Sequence, residues 1–256
     1  MSHPRKENPQ VPSHDNQLIE LDSVDSTNNY AMARIHEGMA TDGLVCLTRH
    51  QWAGKGQRGR TWHSEFGQNL MMSLVIEPSP LILTQQFLFS AAIALGILDQ
   101  VRLFEENNWT IKWPNDIYWN DRKAAGILVE SVIKGKTWPF AVAGIGMNLN
   151  QEKFPPEIPN AISLKKITGN HYELKKTALD IRSSIQKRIE ELKKDPDQTL
   201  SELNLSLYKK NQIVSIKKGT DILLTRLFGV DALGNLLTEN GGFALGEVRM
   251  TDDHNG

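Results

Sequence analysis

The residues best suited to chemistry lie between positions 25 and 150. Gln51-Trp52-Ala53-Gly54-Lys55-Gly56-Gln57-Arg58-Gly59-Arg60-Thr61-Trp62 interleaves glycines with Lys55, Arg58 and Arg60. Glycine lets backbone fold closely around an anion, and Lys and Arg supply charge for phosphate. Gly54, Gly56 and Gly59 satisfy G-x-G-x-x-G, but a dinucleotide loop must open a helix, and here Thr61-Trp62-His63-Ser64-Glu65-Phe66-Gly67 follows. The segment therefore reads as a basic flap, not a Rossmann turn. No Walker A pattern is present. Four further segments place polar groups at the ends of apolar runs: Asp25-Ser26-Thr27-Asn28, Lys112-Trp113-Pro114-Asn115-Asp116, Lys123-Ala124-Ala125-Gly126-Ile127-Leu128-Val129-Glu130 and Gly144-Ile145-Gly146-Met147-Asn148-Leu149-Asn150. A scaffold can hold such groups rigidly at a pocket mouth.

The elements that must position them follow from pattern. Leu18 to Val24 reads as a strand running into Asp25-Ser26-Thr27-Asn28, helix-capping types that predict a helix to about His36. Strands are predicted at Leu44–Thr48, Asn69–Ile76, Trp109–Trp113, Ile117–Trp119, Gly126–Ile133 and Trp138–Met147, with Asn120-Asp121-Arg122-Lys123 as a hairpin. Gln51 to Gln68 has no hydrophobic periodicity and reads as a long loop, of a length that is usually either functional or disordered. Gln85–Leu103 is a mostly apolar helix, and its apolar stretch Phe87–Leu98 is too short to span a bilayer. Leu174, Ala178, Ile181, Ile185, Ile189 and Leu192 form one helical face, and a second helix is expected over about Gln198–Tyr208. From Gln212 to Met250, short β-type runs alternate with glycine turns. The fold class is α+β, divided into a disordered leader (1–17), a catalytic domain (18–208) and a small β domain (209–256).

Composition narrows the function. A formal net charge of −1 gives no basic footprint for nucleic acid. The single cysteine, Cys46, allows no internal disulfide or Cys-based zinc site, and the seven histidines show no zinc spacing. Cys46 sits in an apolar run and reads as core. With no apolar signal core at the N-terminus, cytoplasm is the expected compartment and no membrane contact is expected.

In this order and spacing, the flap and the four segments strongly resemble the biotin protein ligase family over residues 20 to 150. The C-terminal β module resembles that family's small SH3-like domain. The resemblance implies a catalytic domain related to class II aminoacyl-tRNA synthetases, without an N-terminal DNA-binding domain. It implies an ATP-dependent ligase in which biotin and ATP give biotinyl-AMP and pyrophosphate, and a carrier lysine then takes the biotinyl group. The carrier would be the biotin carboxyl carrier domain of acetyl-CoA carboxylase or a related carboxylase. A homodimer is compatible. A lipoate-protein ligase, which shares fold and chemistry, is the alternative.

The resemblance places Ser26, Thr27, Asn28, Gln51, Lys55, Gly56, Gln57, Lys123 and Gly126 at the biotin pocket. It places Lys55, Arg58, Arg60, Trp62, Lys112, Asn115, Asp116 and Asn148 at the nucleotide. Biotin's neutral ureido ring and apolar body need hydrogen-bonding groups on apolar walls. Its carboxylate must meet the α-phosphate of ATP, so Lys123, Arg58 and Arg60, with Mg²⁺, would offset the repulsion. Asp116 would hold the magnesium or orient Lys112 and Lys123. Glu130 would pair with a lysine or serve the nucleotide. The family loop usually reads Gly-Arg-Gly-Arg, whereas Lys55 and Gln57 stand here. Gln57 lacks the charge that retains the adenylate, a role the neighbouring Arg58 would take over.

Overall fold

A computed structural model of the chain describes residues 17–251. The leader expected over 1–17 therefore lies, apart from Gln17, outside the described residues. The elements run β1 (Leu18–Leu21), α1 (Thr27–His36), β2 (Val45–Thr48), β3 (Leu70–Ile76), α2 (Gln86–Phe104), β4 (Trp109–Lys112), β5 (Asp116–Trp119), β6 (Arg122–Lys134) and β7 (Thr137–Met147). Next come α3 (Leu164–Thr168), α4 (Leu174–Lys194), α5 (Pro196–Leu205), β8 (Ile213–Lys218), β9 (Asp221–Val230), β10 (Leu236–Thr238), β11 (Gly241–Phe243) and β12 (Arg249–Met250).

The first seven strands form one sheet in the order β1-β2-β3-β7-β6-β5-β4. Only the β1–β2 pair is parallel; the others are antiparallel. Side chains alternate between faces along a strand. On one face, Leu70, Met72 and Leu74 of β3, Ile127 of β6, and Ala143, Ile145 and Met147 of β7 join the main core with α2 and α4. Those two helices approach closely: a Cβ on Gly96 would lie 2.8 Å from the Ile185 Cα. The six apolar positions read from α4 are spaced for that face, and Ala178, Ile181, Ile185, Ile189 and Leu192 are all buried. Arg188 clips α4 to its neighbours, reaching Asp99 of α2 at 2.6 Å and Glu202 of α5 at 2.6 Å.

The opposite face carries α1, which packs Ala31 with Cys46, Val75 and Val142 in a second, smaller cluster. Burial pushes the Cys46 thiol up to about 12, consistent with its reading as core.

Five strands make a second antiparallel sheet in the order β11-β10-β9-β8-β12, the small β module expected after the helices. It is tied to the rest by specific bonds. The Asn204 amide donates to Val230 O at 3.0 Å and accepts from Val230 N at 2.8 Å. The buried Trp113 donates its indole N–H to Gly234 O at 3.0 Å.

Four expectations need adjustment. The β5–β6 turn is only Asn120-Asp121, with Asn120 at φ 52°, so Lys123 stands inside strand β6 and not in the turn. Trp113 lies past the end of β4, in the turn that leads to β5. The second C-terminal helix starts at Pro196, with Asp195 accepting from Gln198 N at 3.0 Å, and ends at Leu205. The segment Leu83–Phe104 is long and apolar enough to cross a membrane, so length is not what argues against a span there. Two thirds of its apolar window (67%) is buried inside the protein, as in a soluble core helix.

Candidate functional site

The face away from α2 and α4 is paved by cross-strand rows. Met71, Gly146, Gly126 and Asp116 stand opposite one another on β3, β7, β6 and β5, and the row ends at Lys112 on β4. The adjacent row is Cys46, Ser73, Gly144 and Leu128. The glycines in these rows are clearance for larger groups. A Cβ on Gly144 would lie 2.3 Å from the Asn28 Oδ1, and one on Gly146 would lie 2.4 Å from the Trp62 ring. A Cβ on Gly126 would meet the Lys123 Nζ at 3.1 Å and Trp62 at 3.2 Å. The Gly-Ile-Gly-Met and Ala-Gly-Ile-Leu segments thus create a floor on which Asn28, Trp62 and Lys123 rest.

Lys123 pairs with Asp116 at 2.7 Å and lies 5.7 Å from the centre of the Trp62 ring. The Lys123 carbonyl accepts from the Asn148 amide at 3.4 Å. Asn115 donates its amide to Ile127 O, and Ile127 N returns a bond to Asn115 O at 3.1 Å. Both asparagine NH₂ groups are thus engaged with main chain. Lys112 is buried, with its ammonium 4.9 Å from the centre of the Tyr118 ring and 5.7 Å from that of Tyr208. It shares a face with Asp116 but is directed at these aromatics.

At the start of α1, Ser26, Thr27 and Asn28 are all buried. Ser26 occupies the N-cap position yet makes no capping bond. Gln51 serves the helix start instead, its Oε1 accepting from Thr27 N at 2.7 Å. Asn28 donates to Glu130 Oε2 at 2.6 Å and Leu128 O at 3.3 Å, and Ser73 Oγ sits 2.6 Å from Asn28 Oδ1 and 2.7 Å from Thr27 Oγ1. Asp25, at the same helix start, is held below the usual carboxylate range chiefly by the Asn29 amide.

The glycine-basic segment is a short hairpin, more ordered than an irregular loop. Lys55 bridges Thr61, Gly56 N donates to Arg60 O at 2.7 Å, and Trp62 N donates to Gly54 O at 3.1 Å. A single 3₁₀ turn over Gln57–Gly59 forms its tip, closed by Gly59 at φ 75°. The Arg58 side chain lies outside the described part of the molecule. Lys55 binds Asn29 of α1, which brings the hairpin over the helix start. Between hairpin and sheet is a cavity of about 400 Å³ bounded by Lys55, Arg60, Leu128 and Glu130 among others. Its volume is in the range of small-molecule sites. A second cavity of about 440 Å³ lies past the hairpin, between His63–Glu65 and Gln151–Pro155.

The structure therefore brings together Ser26, Thr27, Asn28, Gln51, the flap residues Lys55, Gly56, Gln57 and Arg60, and Trp62, Asp116, Lys123, Gly126 and Asn148. Lys112 and Asn115 lie beside this group with their side chains otherwise engaged. Ser73 and Asn29 were not singled out from sequence. Ser73 was detectable as the one polar residue of Leu70–Ile76, on the same strand face as Met71 and Val75.

The sheet is thus backed by helices on one face and carries, on the other, a basic flap above a cavity and a row of glycines on which Asn28, Trp62 and Lys123 rest. The chain belongs to the Biotin/lipoate A/B protein ligase family, whose sequence model matches residues 20–148. It is 38% identical over 144 residues to the bifunctional ligase/repressor BirA of Escherichia coli K12, covering 55% of this chain and 43% of that protein. It is 33% identical over 152 residues to the biotin–[acetyl-CoA-carboxylase] ligase of Mycobacterium tuberculosis, covering 58% and 54%. The chain thus spans about half the length of these relatives. Among solved structures, it resembles the biotin protein ligase of Aquifex aeolicus in complex with biotin and ATP, with a TM-score of 0.78 and 25% identity, covering 92% of this chain and 99% of that one.

Proposed function

We propose that this chain is an ATP-dependent biotin–protein ligase that acts on the carrier domain of acetyl-CoA carboxylase or a related carboxylase. The observation that carries the reading is Lys123, pinned by Asp116 at 2.7 Å over the Gly126 floor and facing Trp62. Family membership and the likeness to a ligase bound to biotin and ATP support it.

In the first half-reaction a biotin carboxylate oxygen attacks the α-phosphorus of ATP. An O–P bond forms, and the bond to pyrophosphate breaks. Lys123 would hold the carboxylate, since its ammonium is positioned and a cation there lowers the repulsion between the two anions. Lys55, Arg58 and Arg60 on the flap would bind phosphate oxygens. Thr27 and Gln51 would take the ureido group, and Trp62 would pack on the adenine, with Asn115 and Asn148 beside it. In the second half-reaction a carrier lysine nitrogen attacks the acyl carbon, forming the amide and expelling AMP. Mg²⁺ usually keeps several waters and takes one or two carboxylates plus phosphates. Asp116, a half-buried carboxylate beside Lys123, would fit that donor set with the nucleotide. The ion would neutralise phosphate charge.

The proposal extends to architecture. Residues 18–208 would form a catalytic domain of the class II aminoacyl-tRNA synthetase type, and 209–256 an SH3-like domain. The test is incubation with biotin, ATP, Mg²⁺ and a purified carrier domain, read by intact mass. One biotinyl group should be added to the carrier, dependent on ATP. A carrier modified equally with lipoate would favour the other branch of the family.

A further inference from the structure

On the sheet side of its cavity the flap rests on the strand glycines through Trp62. On the helix side it is held by a short polar chain. Asp25 stands just before α1, and Asn29 lies in the helix's first turn. The Asn29 amide donates to Asp25 Oδ2, and Asn29 Oδ1 accepts from the Lys55 ammonium. The direction of this chain is forced at both ends. Asp25 is held below the usual carboxylate range, chiefly by the Asn29 amide with the Lys55 charge adding to it, so it is ionised and can only accept. An ammonium can only donate. Asn29 must therefore turn its NH₂ to Asp25 and its oxygen to Lys55. Among the described residues, Asn29 is the one hydrogen-bond partner of the Lys55 side chain. A cation at the first turn of a helix is otherwise disfavoured, because the helix N-terminus carries partial positive charge. α1 has no acidic residue in its first turn, and Asp25 supplies the compensating charge from just outside it.

Lys55 itself lines the flap cavity, with Ala53, Gly54 and Leu128. The contact with Asn29 therefore bears directly on whether the hairpin lies over that cavity. Main chain fixes only the flap's base to the helix start, where Ala53 N donates to Asp25 O at 3.0 Å. A two-stranded hairpin on its own is marginally stable in water, so the part beyond that bond needs side-chain anchors. We propose that Asn29 and Asp25 are positioning residues that hold the flap over the cavity through Lys55, and that the nucleotide must take Lys55 from Asn29 to use its charge. The first half concerns the hairpin alone; the second rests on the ligase reading. A lysine suits such an exchange of partners, because its ammonium is a point charge on a flexible stem. The latch slows escape of biotin before ATP arrives, and phosphate opens it. Its loss should thus act in one direction on biotin and not on ATP.

The test is a double-mutant cycle on Asn29→Ala and Lys55→Met. Hydrogen exchange is followed at the Ala53, Gly56 and Trp62 amides of the ligand-free protein, and biotin dissociation is timed without nucleotide. Each single variant should speed both by about fivefold, the worth of one exposed charge-assisted hydrogen bond. The double variant should stay within about twofold of either single one, because both side chains act through one contact. Lys55→Arg, which still donates to Asn29, should keep flap exchange within about twofold of wild type. Asn29→Ala should leave the KM for ATP no more than about twofold above wild type, whereas a helix start that was merely damaged would weaken biotin and ATP alike. Losses that multiply to about twenty-fivefold in the double variant overturn the latch. So do single variants whose flap amides exchange as in wild type, or a KM for ATP that rises with the biotin release rate in Asn29→Ala. Should Asn29→Ala fail to fold, Lys55→Met and Lys55→Arg, at an exposed flap position, carry the exchange measurement alone. If the unmodified protein binds no biotin, the ligase reading falls and exchange still decides the latch; if it binds biotin and the flap amides are unmoved, the latch alone falls.

Discussion

Lys123 illustrates how little a residue's chemistry depends on its type alone. A lysine on a strand end would ordinarily extend into water. Here its stem lies on Gly126, its ammonium pairs with Asp116 at 2.7 Å, and the Trp62 ring covers it. Lys123→Met keeps the stem packing and removes the charge. We expect pyrophosphate release to fall by roughly two to three orders of magnitude, with the unfolding midpoint changed by only a few degrees; activity near that of wild type would remove Lys123 from the reaction. Cys46 is the opposite case. With its thiol raised to about 12 by burial, it stays protonated in the fold well above the range where a free thiol ionises. Native protein should resist iodoacetamide from pH 7 to 9 with no rise in rate, and should be alkylated promptly in denaturant. The flap and strand-end motifs were readable from residue types in order. Ser73 stands out only as the one polar residue of an apolar strand, a mark that gives it no role until α1 brings Thr27 and Asn28 over it.

At the level of elements, the strand glycines do more than loosen β6 and β7. Gly144 and Gly146 share one face of β7, and each admits a group from a different part of the chain: Asn28 from α1 and Trp62 from the end of the flap. The period of two predicts that they lie on the same face, but pattern alone could not say what rests on them. The helices were legible because α2 and α4 each bury a long apolar surface. The short α3 was missed since five residues contain too few turns to show a period. The flap hairpin was missed because its pairing is main-chain, Gly56 to Arg60 and Gly54 to Trp62, and leaves no mark in side-chain alternation. A methyl group at position 146 would sit 2.4 Å from the Trp62 ring and force it off the floor. Gly146→Ala should therefore speed hydrogen exchange at the Trp62 and Gly56 amides by about tenfold or more while β3 and β7 amides stay protected. Unchanged exchange would mean that Trp62 does not anchor the flap.

Across the whole molecule, the C-terminal sheet is attached at the turn between β4 and β5. Trp113 lies between Lys112 and Asn115-Asp116 in sequence, and its indole N–H reaches Gly234 O of the second sheet at 3.0 Å. Gly234 has φ 88°, and a Cβ there would lie 2.5 Å from the Phe87 ring, so the β9–β10 turn is pressed against the start of α2. Asn204 adds its two bonds to Val230 from α5. The boundary expected near 208 falls close to this contact. Leu207 bridges Ile111, and Tyr208 N donates to Ile111 O at 2.9 Å, so the connecting chain is itself stitched to the edge strand β4. The two sheets should consequently respond together. Trp113→Phe keeps an aromatic ring in the site but leaves the buried Gly234 carbonyl without its donor, a change that typically costs about 1–3 kcal/mol. We expect faster exchange at the amides of residues 229–238, and a lower unfolding midpoint in a transition that remains single. On the proposed assignment, Trp113 also fixes the turn that presents Asp116, so the KM for ATP should rise while the affinity for biotin, which that assignment gives to α1 and Gln51, stays within about twofold. If KM for ATP is unchanged although exchange in 229–238 accelerates, the module is anchored by Trp113 without bearing on the nucleotide side. If exchange is unchanged as well, Asn204 and the Phe87–Gly234 contact hold the two sheets together unaided.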